Sequence, residues 1–365
     1  MLQGSDKIGG SSFPQLAYKM KGQVGLKNLG LTCYANAVLQ CLRHVDRLPW
    51  IFSDGRYDTL FKKDAKEKRL LKQAVAKSFA EVLKMQEEGS KPSVLKPAGF
   101  FTAVRTCVRD SCYDQFIQTA PHDAHEFLMF MLETLHESVS ISVEMQIMKS
   151  APKTEEEKRV IRALEAWKDE FSKEYSPLVD LFYGLLHVQT KCLSCNTISH
   201  RWETFNTLKA VVPTTAAADA VDVLSMLAKD LKGEDIEGYS CDKCSPVRTT
   251  AHRESSIWRL PQTLILCLKR FTYDGRKIHT KVTAPLDLDL VTLFSEESPE
   301  KGAITHYGLR SLVDHHGGAG GGHYTAQCKD KNTSQWLVYD DESVHPIAGP
   351  MFGESTYVLF YERTQ

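Results

Sequence analysis

A chain of 365 residues, 42% hydrophobic and 25% charged, is long enough to bury a large core as one domain or as two to three subdomains. Its 45 basic and 46 acidic side chains leave a net charge of −1, which removes the electrostatic case for nucleic acid or an anionic membrane as main partner. No apolar run approaches the roughly 18–20 residues of a transmembrane helix, and no secretory apolar stretch follows the start. Ten cysteines, sparse for this length, argue against a disulfide scaffold and for a reducing interior, cytosol or nucleus.

The polar, Gly/Ser-rich opening "MLQGSDKIGGSS" reads as a flexible leader. "NLGLTCYANAVLQCL", Asn28 to Leu42, predicts a helix that begins near Cys33 and carries Val38, Leu39 and Leu42 on one face. Cys33 is then either a packed core thiol or a nucleophile, because the helix dipole can lower the pKa of a thiol at an N-terminus. The next helix carries Leu71, Val75, Phe79 and Val82 at helical spacing, and its lysines alternate with acids as on a solvated face. "HDAHEFLMFMLETLHESV" predicts another, with Phe127, Met131 and Leu135 on one stripe. The charged stretch from Pro152 to Tyr175 is expected to be an inserted surface helix pair or a mobile excursion.

After about Leu181 the texture changes to short β-rich runs such as "FYGLLHVQTKC", "SIWRLPQTLILCLKRF", "HYTAQC", "WLVYD" and "TYVLFYER", separated by turn residues. No repeat of solenoid period is present. Helices first and strands later predict an α+β fold with segregated halves.

Cys192-Leu-Ser-Cys195 and Cys241-Asp-Lys-Cys244 are two knuckles with 45 residues between them. Four thiolates so spaced suit tetrahedral zinc, with each knuckle at the end of its own hairpin; redox CxxC pairs and two structural thiol pairs are the competing readings. A site with four protein ligands has no open position for substrate, so its zinc would be structural.

A nucleophilic Cys33 needs a base. His323 follows the glycine-rich "HHGGAGGG" and opens a strand-like run; the glycines permit close backbone approach or a mobile gate. A hairpin centred on Lys331 and Asn332 would set His323 opposite Asp340, close enough for the carboxylate to orient the imidazole. Asp341 is the nearest substitute. Asn28 is placed to donate to a developing oxyanion, helped by backbone N–H groups near Cys33.

Taken together these segments resemble the ubiquitin-specific proteases, the papain-like cysteine deubiquitinases. The resemblance spans roughly residues 22 to 362 and rests on "GLKNLGLTCYANAVLQCL", "HDAHEFL", the two knuckles, "LKRF", "YGLRSLVDHHGGAGGGHYTA", "WLVYDDESV" and "YVLFYER". It implies a right-hand architecture: a leader over 1–20, a helical thumb over 21–180 with the charged insertion near 150–175, zinc-tipped β fingers over 181–256, and a β palm over 257–365. It implies Cys33 as nucleophile, His323 as base, Asp340 as third triad member with Asp341 auxiliary, and Asn28 as oxyanion donor. Asp123, Tyr324 and His122 fall at positions contacting the ubiquitin tail. Leu31 stands where the family has Asn, a change expected to alter loop packing, and Pro121-His122 stand where it has Gln-Gln. The implied partners are ubiquitin and ubiquitinated proteins, with the insertion a surface elaboration or a docking site for a regulator. The alternatives are another modifier ending in Gly-Gly and a non-catalytic ubiquitin-binding scaffold.

Overall fold

The structure, a computed structural model, describes residues 2–4, 23–53, 55–62, 65–88, 94–148, 152–215, 219–303 and 305–364. Most of the expected leader lies outside the described residues.

The helix at Cys33–Arg43 has all eleven residues buried, not only the face carrying Val38, Leu39 and Leu42. It is packed on both sides, by the helix at Ala124–Val139 and by the strand Gly321–Lys329, so no face is left for water. The helix at Glu67–Glu88 buries Val75, Phe79 and Val82 against its neighbours. Phe127, Met131 and Leu135 of Ala124–Val139 join the same core. That helix starts at Asp123, whose carboxylate accepts the Glu126 N–H at 2.9 Å as an N-cap.

The large sheet has eight strands. Its main path runs Ser343–Ile347, Trp336–Asp340, Gly321–Lys329, His306–Gly318, Thr356–Arg363, Thr263–Lys269 and Leu208–Val211, antiparallel except for the last pair. Alternation along the central strands explains their unbroken apolar sequences. Ile265, Cys267, Val358 and Phe360 face the helical core, while Leu264, Leu266, Leu268, Leu359 and Tyr361 face a second core under the helix at Val223–Leu231. The sheet therefore carries apolar cover on both sides.

A separate antiparallel sheet is ordered Ile198–Phe205, Gly184–Cys192, Arg248–Arg259, Glu234–Ser240. Each CxxC knuckle turns one hairpin of this sheet, and the pairing of Gly184–Cys192 with Arg248–Arg259 brings both tips together.

The charged segment is neither a helix pair nor an excursion. It forms one helix, Glu155–Phe171, opened by a capping box between Thr154 and Glu157. Ala163, Trp167 and Phe171 fall at four-residue spacing and pack against Trp202 and Trp258 of the smaller sheet. The Arg259 guanidinium lies 4.3 Å from the Trp167 ring centroid. Charge on the outer faces masked this buried stripe in the sequence. No described helix is long and apolar enough to cross a membrane.

Candidate active site

Cys33 is the first residue of its helix, after a loop in which Gly30 and Leu31 have φ values of 92° and 60°. Asn28 organises that loop: its Oδ1 accepts N–H bonds from Gly30 at 3.0 Å and Thr32 at 3.1 Å. Its Nδ2 donates to Asp341 Oδ2 at 2.8 Å, leaving the second amide hydrogen for another acceptor.

On the opposite wall, His306–Gly318 and Gly321–Lys329 turn over Ala319 and Gly320. The glycine run is thus a tight hairpin end. A Cβ on Gly322 would sit 2.3 Å from the His316 carbonyl oxygen and 2.4 Å from His315 Nε2, so the run also permits close approach.

Register in the following hairpin differs from the one expected. Ala326 pairs with Tyr339 and Lys329 with Trp336, which offsets His323 from Asp340 by two residues. The loop is longer than a symmetric centre at Lys331 and Asn332 supposes, because Asp330 folds it, accepting from Asn332 N and Thr333 N at 2.9 and 2.8 Å. A shift of two keeps both side chains on one face. His323 Nε2 and Asp340 Oδ1 meet diagonally at 2.6 Å. With Nε2–H donating to the carboxylate, Nδ1 of the neutral ring is left as the basic nitrogen.

Asp341 does not bond His323. It accepts from Asn28 Nδ2 and, at 2.7 Å, from Asn36 Nδ2, so it ties the sheet to the Cys33 loop and helix. The sequence signal for Asn36 is an amide one turn after Cys33 that shares its helix face with a second amide, Gln40.

The Cys33 thiol is 7% exposed, and burial pushes its pKa up, with the Asp341 charge adding to the effect. The backbone N–H groups of Tyr324, Tyr34 and Cys33 oppose this without prevailing. The lowering expected from a helix N-terminus is therefore overridden by desolvation. Among the described residues no hydrogen bond joins Cys33 to His323.

Cys33 lines a cleft of about 340 Å³ that also exposes Leu31, Pro121, His122, Asp123 and Tyr324. Asp123, besides capping its helix, accepts from Tyr357 OH at 2.6 Å. Tyr324 packs 4.6 Å from the His315 ring, and burial raises its phenol far above the ordinary range. His122 donates through Nε2 to Gln118 O at 3.1 Å and packs edge-on against Tyr34. His315 and Tyr357, both in this wall system, were not singled out in the sequence.

At the far end of the smaller sheet, the four Sγ atoms of Cys192, Cys195, Cys241 and Cys244 lie within 4.8 Å of one another. Between the knuckles, Cys192 Sγ lies 3.9 Å from Cys244 Sγ and Cys195 Sγ lies 3.6 Å from Cys241 Sγ. Tetrahedral zinc with Zn–S bonds of about 2.3 Å sets its sulfurs about 3.8 Å apart, so the four thiols fit such an ion.

A family model described as ubiquitin carboxyl-terminal hydrolase matches residues 24–361, which includes the Asn28–Cys33 loop, both knuckles and the His323–Asp340 strands. The chain belongs to the ubiquitin carboxyl-terminal hydrolase family. Among its curated relatives, ubiquitin carboxyl-terminal hydrolase 5 of Saccharomyces cerevisiae is 30% identical over 93% of this chain and 44% of its own length. Ubiquitin carboxyl-terminal hydrolase 4 of Vanderwaltozyma polyspora is 29% identical over 96% of this chain and 44% of the relative. Human ubiquitin carboxyl-terminal hydrolase 2 is 29% identical over 94% and 55%. The chain thus spans about half the length of these hydrolases. A solved structure, the SAGA DUB module with Ubp8 bound to monoubiquitin, shares the fold at a TM-score of 0.68 and 21% identity, over 94% of this chain and 70% of that one. The hydrolase fold is therefore the right-hand type, with helices and the large sheet flanking the cleft and the four-cysteine tip on the smaller sheet.

Proposed function

We propose that this domain is a thiol isopeptidase that hydrolyses the bond after the C-terminal glycine of ubiquitin. The observation that carries the reading is the His323–Asp340 pair, held at 2.6 Å across the cleft from a cysteine at a helix N-terminus. Cys33 is the nucleophile. His323 Nδ1 takes its proton and delivers it to the leaving lysine amine; water then releases the thioester by the same base. The free hydrogen of Asn28 Nδ2 and the N–H groups at the start of the helix stabilise the oxyanion, with Asp341 fixing the Asn28 amide. Since burial keeps the resting thiol protonated, productive attack requires His323 to reach the sulfur, a step we link to substrate binding.

Asp123, His122 and Tyr324 lie along the route assigned to the ubiquitin tail. We assign residues 21–180 to the thumb, 181–256 to the fingers and 257–365 to the palm. Cys192, Cys195, Cys241 and Cys244 would hold a zinc ion, which when bound cross-links the finger tips and offers no site for substrate. The partners are ubiquitin and ubiquitinated proteins, in a reducing cytosolic or nuclear setting.

The test is a ubiquitin probe with a C-terminal electrophile, applied to folded, metal-loaded protein. A covalent adduct on Cys33, lost in Cys33→Ala, is expected. No adduct would reject the reading. Parallel probes built on other Gly-Gly modifiers separate ubiquitin from its relatives.

A further inference from the structure

Asn36 stands one turn after Cys33, 3% exposed, in a helix whose eleven residues are all buried. Its Nδ2 donates to Asp341 Oδ1 at 2.7 Å and to Leu26 O at 3.3 Å, so acceptors take both amide hydrogens and fix which way the group faces. Its Oδ1 is buried with no hydrogen-bond partner among the described residues. An orphaned buried carbonyl is destabilising, and a leucine of similar volume would fill the space without it. Packing alone therefore does not account for an amide here.

What Asn36 holds is one oxygen of Asp341. The other, Oδ2, accepts from Asn28 Nδ2 at 2.8 Å. A carboxylate with one donor swings easily about its last torsion, whereas a donor on each oxygen fixes its plane. The Asp341 backbone is pinned as well. Its O accepts from Leu26 N at 2.7 Å, and a Cβ on Gly25 would lie 2.8 Å from that oxygen and 2.3 Å from Glu342 O. Leu26, Asp341 and Asn36 thus close a ring of three hydrogen bonds. Gln40, a turn further along the helix, donates to Val24 O at 2.9 Å, so the same face holds the segment that leads into Asn28.

Asn28 then has little freedom left. Its Oδ1 is taken by the N–H groups of Gly30 and Thr32, and the direction of its remaining Nδ2 hydrogen depends on where Asp341 Oδ2 sits. A donor stabilises developing charge only when it is aimed before the reaction begins.

Resting on the isopeptidase reading, we propose that Asn36 is a positioning residue for the reaction: through Asp341 it aims the remaining N–H of Asn28 at the oxyanion. Asn36 is not among the residues lining the cleft, so it acts without touching substrate.

The test is a double-mutant cycle on ubiquitin carrying a C-terminal fluorogenic amide, with wild type, Asn36→Leu, Asp341→Ala and the double variant. Asn36→Leu should lower kcat by about tenfold and change KM by less than about twofold, because the loss falls on the oxyanion and not on bound substrate. In the Asp341→Ala background the same substitution should cost about twofold or less, since the carboxylate through which Asn36 acts is gone. The thermal midpoint of Asn36→Leu should stay within about 3 °C of wild type. Should that variant not fold, Asn36→Ser is carried through the same cycle on the same criteria. A tenfold loss that persists in the Asp341→Ala background would make Asn36 a packing residue and overturn the proposal, as would full kcat in the single variant or a loss confined to KM. Electrophile labelling separates the two levels: a wild type whose Cys33 labels but whose cycle shows no coupling loses only the role of Asn36, whereas one that fails to label loses both readings.

Discussion

Asp340 and Asp341 are adjacent, yet Asp340 reaches His323 while Asp341 holds Asn28 and Asn36, and the left-handed Asp341 backbone at φ 48° accompanies this divergence. The two carboxylates should therefore fail differently. Asp340→Ala releases the imidazole and should lower kcat by on the order of 10²–10⁴, with the limb of the pH–rate profile that reports the base displaced. Asp341→Ala should cost on the order of 10²–10³ by loosening Asn28, the proposed oxyanion donor, and leave that limb in place. Profiles of kcat/KM on a ubiquitin-derived amide distinguish the cases; matching displacement in both variants would mean that the aspartates share one role. Cys33, the proposed nucleophile, supplies a second residue-scale prediction. Burial raises the Cys33 pKa, so at neutral pH the substrate-free thiol is protonated, and thiolate accumulates only as pH climbs past the ordinary cysteine range. Alkylation of Cys33 by iodoacetamide should be slower at pH 7 than that of free cysteine and still climbing at pH 9. A rate that is flat from pH 6 to 8 would instead mark a stable low-pKa thiolate.

Among the elements, the Glu155–Phe171 helix and the cysteine knuckles depend on different forces. Trp167 is buried against Trp202, Trp258 and the Arg259 guanidinium, so Trp167→Ala should cost about 3–5 kcal/mol in urea unfolding, the usual range for emptying such a site. A value under about 1 kcal/mol would restore the view of this helix as a surface appendage. With zinc held by the four thiols as proposed, stripping it with a chelator should lower the thermal midpoint by several degrees and increase hydrogen exchange at the ends of Gly184–Cys192 and Arg248–Arg259, because the thiols would then lose their common centre. Unchanged exchange there would mean that the hairpins stand without the ion. Apolar periodicity made Cys33–Arg43, Glu67–Glu88 and Ala124–Val139 legible in the sequence, and unbroken apolar runs marked the central strands. What stayed illegible was relational. Register between His323 and Asp340 turned on the Asp330 loop, the partner of the Trp167 stripe lay on a different sheet, and Asn36 acquired meaning only when Asp341 arrived across more than three hundred residues.

Across the whole molecule, buried histidines occur in every part: His44 after the Cys33 helix, His125 and His136 on the helix at Ala124–Val139, His187 in the smaller sheet and His315 in the large one. Burial lowers His44 to about 3 and the other four to about 4, against about 6.5 unfolded. The folded state binds fewer protons, so the stabilisation is complete only about a pH unit above 6.5 and is lost as pH falls through 6.5 toward the folded values. Each histidine accounts for about 1 kcal/mol between pH 6.5 and 5.5. Glu362 has the opposite sign. Burial, with Asp46 nearby, raises it to about 8, so its contribution is full below about 4.5 and declines as pH rises through 8, by about 1.4 kcal/mol per unit. Five histidines outweigh one carboxyl below pH 6.5, and the two effects roughly cancel from 6.5 to 8. Urea unfolding should therefore show a plateau near pH 6.5–8 and a loss of about 3–4 kcal/mol by pH 5.5. A flat profile from pH 7 to 5 would mean that these histidines protonate in the folded protein, which their burial forbids, and a continued rise from pH 7 to 8 would mean that Glu362 is ionised at neutral pH through its contact with Arg310.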